Sequence, residues 1–135
     1  MQKFAIRLVL AITILLSIHQ NSLADSYPKR EIRAAWVTPI NGNWPATSER
    51  GTTSSHIQAQ KNHAIAIIEE MKANGFNAIF VHARPYSDRM FLKTSYTHNG
   101  KTYTVYEPFS HHVSNTRGTE TSYDPLAFWV EECHK

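Results

Sequence analysis

The chain has 135 residues, with 14 Lys and Arg, 11 Asp and Glu, and one cysteine. Removing Lys3 and Arg7, which fall in an apolar leader, leaves 12 basic against 11 acidic residues, so there is no electrostatic case for nucleic acid. The single Cys133 excludes an internal disulfide.

The leader comes first in chain order. Leu8 to Ile18 is apolar apart from Thr13 and Ser17, and Ser22 and Ala24 stand at the −3 and −1 positions of a small-residue cleavage site. This predicts a secretory signal over 1–24 and a mature part over 25–135, exported to the periplasm or the exterior. The apolar run is shorter than the roughly 20 residues that a spanning helix needs, so no membrane association is expected after cleavage.

"EIRAAWV", residues 31–37, reads as a strand, and a loop rich in Pro, Gly, Ser and Thr follows to about residue 54. Ser55 and Gln58 form a capping-box pattern that predicts a helix start there. Ile57, Ala64, Ile65, Ile68 and Met71 continue it at helical spacing, and Asn74-Gly75 ends it, glycine supplying the left-handed turn. Ala78 to Val81 is then continuously apolar, as a parallel strand covered on both faces requires. Strand, helix and strand at this spacing predict a right-handed βαβ unit.

The second long loop, about 85–122, contains "YTHNGKTYT", in which Asn99-Gly100 signals an excursion hairpin and not a third core strand. Asp124-Pro125 marks the next helix start, with Leu126, Trp129, Val130 and Cys133 on one stripe. This helix meets no glycine or C-cap before residue 135, so the reading frame is expected to continue.

Both long loops follow strands, and α/β folds gather their ligand sites at the carboxyl ends of strands. Arg84 stands there, its planar fork suited either to a carboxylate or sugar hydroxyl, or to a structural pairing with Asp88 or a loop carbonyl. Trp36, Trp44, Tyr86, Tyr103, Tyr106 and Phe109 suit either stacking on sugar faces or packing beneath the loops. The loop carboxylates are Glu49, Asp88, Glu107 and Glu120. Asp88 and Glu107 are the candidates for the two acids that glycoside hydrolysis commonly uses. Asp124 is assigned to capping. Eight histidines include adjacent His111 and His112, whose side chains regular structure would direct apart, but no H-x-x-x-H or C-x-x-C pattern is present, so no metal is expected. No G-x-G-x-x-G, P-loop or G-x-S-x-G occurs, so no cofactor is expected either.

"REIRAAWVTPINGNWP", a helix start containing Gln60-Lys61, "NGFNAIFVHARPYSDRMF", "EPFS" and "YDPLAFWVEECHK" occur in this order. Together they resemble the glycosyl-hydrolase-like 10 family of bacterial envelope proteins. The family's corresponding motifs read approximately R-A-x-W-V, N-A-x-x-x-Q-V-R-P, E-P-W-S and Y-D-P-L-A-F. His82 and Ala83 replace the more usual Gln and Val, Phe109 replaces Trp, and "THNGKTYTV" stands as an insertion. The resemblance implies the N-terminal portion of a TIM-type (β/α)8 barrel, truncated after about two β/α units, with residues 25–135 as an incomplete domain. It implies glycoside hydrolysis of bacterial cell-wall glycan or another polysaccharide, with Trp36, Arg84, Asp88 and Glu107 on the substrate side. The piece alone is expected to be inactive and marginally folded, with open sheet edges. The alternatives are a small secreted carbohydrate-binding module using Trp36, Trp44 and loop tyrosines, and a periplasmic flavodoxin-like domain.

Overall fold

A computed structural model of the chain describes residues 31–135; the expected leader and its cleavage site lie outside them. Strand β1 (Ala34–Val37) is followed by two 3₁₀ turns, Ile40–Gly42 and Thr47–Glu49, and by helix α1 (Ser54–Ala73). Strand β2 (Ala78–Val81) pairs with β1 in parallel, Ala34 opposite Ala78 and Val37 opposite Val81. This is the β-α-β order that the apolar periodicities predict. A 3₁₀ turn at Pro85–Ser87 leads to a separate antiparallel hairpin, β3 (Ser95–His98) and β4 (Lys101–Thr104). A one-turn helix α2 (His111–Ser114) and helix α3 (Pro125–Cys133) complete the described chain.

Local chemistry sets most of these boundaries. Helix α1 begins two residues earlier than the Ser55–Gln58 pattern predicts. Thr53 is the N-cap, its Oγ1 accepting from the His56 backbone N–H at 3.4 Å, while Gln58 donates along the helix to Asn62. At the other end the Gly75 N–H bonds the Lys72 carbonyl and the Phe76 N–H bonds that of Met71, the paired closure that a left-handed residue permits. Gly75 supplies it with φ +77°. In the hairpin Asn99 and Gly100 both have positive φ, which matches the turn to the strand twist. Asp124 caps α3 through Oδ1 to the Ala127 N–H at 3.0 Å, and its Oδ2 takes the Leu92 N–H at 2.7 Å. One carboxylate therefore starts a helix and anchors the preceding loop.

Val37, Ala64, Ile68 and Trp129 contribute to the core from β1, α1 and α3, and Trp44, Met90, Phe109 and Val113 contribute from the long connections. Half of the buried apolar set thus comes from the long connections, and of those four only Val113 lies in a helix, the single turn α2. Among the described residues the β1-β2 sheet has only two strands, and one face is covered. Val37, Ile79 and Val81 turn toward the core, whereas Trp36 and Phe80, register partners with ring centroids 5.1 Å apart, lie exposed on the other side. Cover on both faces, expected from the apolar run of β2, is not found there. The α3 stripe is likewise half used: Trp129 is buried, while Val130 and Cys133 are exposed.

The connections are fastened by Gln60, a fully buried polar side chain on the α1 stripe. Its Nε2 shares two protons among the carbonyls of Glu49 (2.8 Å), Val113 (3.1 Å) and Gly51 (3.2 Å), and its Oε1 accepts from Tyr123 Oη at 2.8 Å. Its backbone carbonyl accepts from Trp44 Nε1 at 2.8 Å. Each buried group left unpaired costs about 1–3 kcal/mol. Gln60→Leu is therefore expected to lower unfolding stability by more than about 2 kcal/mol, read by urea denaturation, despite similar volume. A loss below half that value would show that the loops hold without the carboxamide.

Candidate functional site

The parallel pairing brings the carboxyl ends of β1 and β2 side by side. Thr38 follows β1 and His82 follows β2, and Thr38 Oγ1 lies 3.2 Å from His82 Nδ1, joining the two strand ends. Two residues on, Arg84 extends from β2 to pair with Glu107, Nη2 to Oε1 at 3.0 Å, both side chains partly open to solvent. Its guanidinium also lies 5.9 Å from the centre of the Phe91 ring. The partner of Arg84 is thus Glu107, and not Asp88 or a loop carbonyl.

Glu107 is held in place by a residue that sequence reading did not single out. Arg89, nearly buried, donates Nε to the Glu107 carbonyl at 2.9 Å, and its guanidinium also reaches the Phe91 carbonyl and Glu120. The backbone of Arg89 bridges that of Phe109, with Arg89 N–H to Pro108 O at 2.9 Å and Ser110 N–H to Arg89 O at 2.8 Å. The main chain at Glu107 and immediately after it is fixed, and its carboxylate meets Arg84.

Asp88 has different surroundings. It is 1% exposed, its Oδ1 accepting from Arg117 Nε at 2.8 Å and its Oδ2 lying 3.3 Å from His111 Nδ1. Glu107 pairs with Arg84, while Asp88 joins the loop segment around 111–117. Trp36 is 71% exposed on the open sheet face beside Phe80. Trp44 and Phe109 are fully buried, Trp44 meeting Trp129 edge to face at 5.2 Å, so neither offers a stacking surface. Tyr86, Tyr103 and Tyr106 are exposed.

Beneath the Arg84 turn, Tyr86 and Ser87 hold φ of 49° and 60°, a left-handed pair without glycine. The Tyr86 ring stacks on His112 at 5.6 Å, and the His111 and His112 rings lie 4.0 Å apart within one short helical turn, not directed away from each other. His112 is buried and, among the described residues, neither ring nitrogen has a hydrogen-bond partner. Burial pushes its pKa down, the neighbouring His111 and Arg50 push it the same way, and Asp88 opposes them. No three potential metal ligands converge among the described residues, and no helix there is long and apolar enough to cross a membrane.

No family model matches the chain. It is 30% identical over 114 residues, 84% of its length, to a Bacillus subtilis (strain 168) protein named glycosyl hydrolase YngK. The chain spans only 19% of that protein's length.

His112 gives this region a pH signature. Its folded pKa lies below the ordinary 6.5, so the unfolded chain binds a proton first as pH falls. The stability associated with the neutral ring is complete above 6.5 and declines below it. Unfolding midpoints of the wild type are expected to fall between about pH 7 and 5.5, and His112→Phe is expected to flatten that slope. Parallel slopes in the two proteins would refute the assignment.

Proposed function

We propose that this chain is the substrate-facing N-terminal portion of an exported glycoside hydrolase, acting on bacterial cell-wall glycan or another polysaccharide. Its similarity to a protein named glycosyl hydrolase, over most of the chain, carries the reading. The short share of that relative that is matched supports a longer parent protein. In this reading its catalytic domain is a TIM-type barrel to which β1, α1, β2 and α3 belong. The apolar leader supports export.

Within this reading Arg84 and Glu107 hold substrate. A guanidinium donates to sugar oxygens, a carboxylate accepts from sugar hydroxyls, and their mutual pairing fixes both in advance of binding. Trp36 offers a ring face on the same sheet. Asp88 is a support for the loop that carries the site, since both of its oxygens are occupied and it is buried. Hydrolysis needs two carboxyl groups flanking the scissile bond, and further strand ends of the parent domain supply them.

The test is kinetics on the natural protein against isolated wall glycan. Arg84→Ala and Glu107→Gln are expected to raise KM about tenfold with kcat changed little, the pattern of lost ground-state binding. Unchanged KM in both variants would remove the pair from the site. A collapse of kcat in Glu107→Gln alone would make it one of the reacting acids. N-terminal sequencing of the exported protein is expected to start at Asp25, and retention of residues 1–24 would refute cleavage.

A further inference from the structure

The β3-β4 hairpin has no role in the core. Its eight strand residues include no aliphatic side chain, and all eight are exposed. Their chemistry is sorted by face. In the register Tyr96 opposite Tyr103 and His98 opposite Lys101, those four side chains share one side of the ribbon. Ser95, Thr97, Thr102 and Thr104 share the other, with Thr97 and Thr102 Oγ1 atoms 3.2 Å apart.

The Tyr96 and Tyr103 rings stack nearly parallel, centroids 5.1 Å apart and planes at 13°. They remain 51% and 38% exposed. Lys101 Nζ lies 5.2 Å from the Tyr103 ring centre. Between Asp88 and Glu107 the chain carries Arg89, Lys93, His98 and Lys101 and no carboxylate. Cross-strand packing explains why the tyrosines pair. It does not explain an all-aromatic and basic face with no acid in the whole excursion.

The hairpin is also rooted at the candidate site. The chain enters it from Phe91, over which the Arg84 guanidinium lies, and the Val105 N–H closes its base on the Thr94 carbonyl at 2.7 Å. It leaves through Tyr106, 88% exposed, directly into Glu107. Both stems therefore meet Arg84.

We propose that the β3-β4 hairpin is a binding arm for a carboxylated glycan. The tyrosine pair takes the apolar face of a sugar ring, and Lys101 takes that sugar's carboxylate. This rests on the reading of the chain as part of a polysaccharide hydrolase. The C–H face of a sugar complements the negative face of an aromatic ring, and ammonium to carboxylate is a charge-assisted hydrogen bond. The absence of acid on the hairpin favours a carboxylated chain over a neutral one. A glycan held by Arg84 and Glu107 would run along Tyr106 onto the ribbon.

The test compares the full natural protein with Tyr96→Ser/Tyr103→Ser and Lys101→Gln, each first shown to unfold at the wild-type temperature. The probes are amidase-stripped wall glycan strands, whose lactyl carboxylates are free, polygalacturonate, and both polymers after reduction of the carboxylates to alcohols. Wild type is expected to bind at least one carboxylated polymer more tightly than its reduced form. The double tyrosine variant is expected to lose about tenfold on both forms. Lys101→Gln is expected to lose about threefold on the carboxylated form alone. Wild-type affinity in the tyrosine variant, or equal loss on both forms in Lys101→Gln, would overturn the arm, as would a wild type that binds none of the polymers. If the protein still hydrolyses wall glycan in those cases, only the arm fails; if it hydrolyses no polysaccharide, the hydrolase reading fails as well.

Discussion

The buried carboxamide of Gln60 is the interaction on which the rest of the structure depends. A two-stranded parallel sheet cannot by itself order the connection of about 16 residues after β1 and the much longer one after β2. Gln60 lies on α1, the helix that the sheet does position, and satisfies carbonyls from both connections. The Gly51 N–H completes the junction by bonding the Val113 carbonyl at 2.9 Å. A buried amide is tolerated only when its groups are paired, and here both ends are. Desolvation makes each of these bonds expensive to lose, and the loops are therefore fixed relative to the helix.

The site follows from that junction. With the 108–114 segment held, Phe109 and Val113 enter the core and the Arg89 backbone bridges Phe109. Arg89 then fixes the Glu107 main chain, and Glu107 meets Arg84 at the end of β2. The exposed Arg84–Glu107 pair thus rests on buried polar chemistry: an amide anchors the loops, one arginine places the acid, and a second arginine pairs with it. Asp88 performs a similar service for the 111–117 segment through Arg117 and His111.

Periodicity and end signals made the scaffold legible in the sequence. The apolar runs of β1 and β2, the Asn74-Gly75 stop, the Asn99-Gly100 turn and the Asp124-Pro125 start all correspond to observed elements. The start of α1 did not, because Thr53 and Ser55 both offer a capping hydroxyl two residues apart. Arg84 and Glu107 could be nominated singly, but their pairing across 23 positions has no local signature. Gln60 and Arg89 were opaque for a related reason. Polar types are assigned to the surface by default, and burial is earned here through carbonyls in distant loops. Trp44 and Phe109 show the converse, since loop aromatics suggest binding surfaces until packing places them in the core.

The most direct measurement is a crystal structure of the natural protein with an oligosaccharide cut from its wall glycan. A sugar is expected within hydrogen-bond distance of both Arg84 and Glu107, at the carboxyl ends of β1 and β2, with the Arg89 contact to the Glu107 carbonyl retained. An oligosaccharide bound elsewhere, with Arg84 and Glu107 paired to each other and touching no sugar, would contradict it.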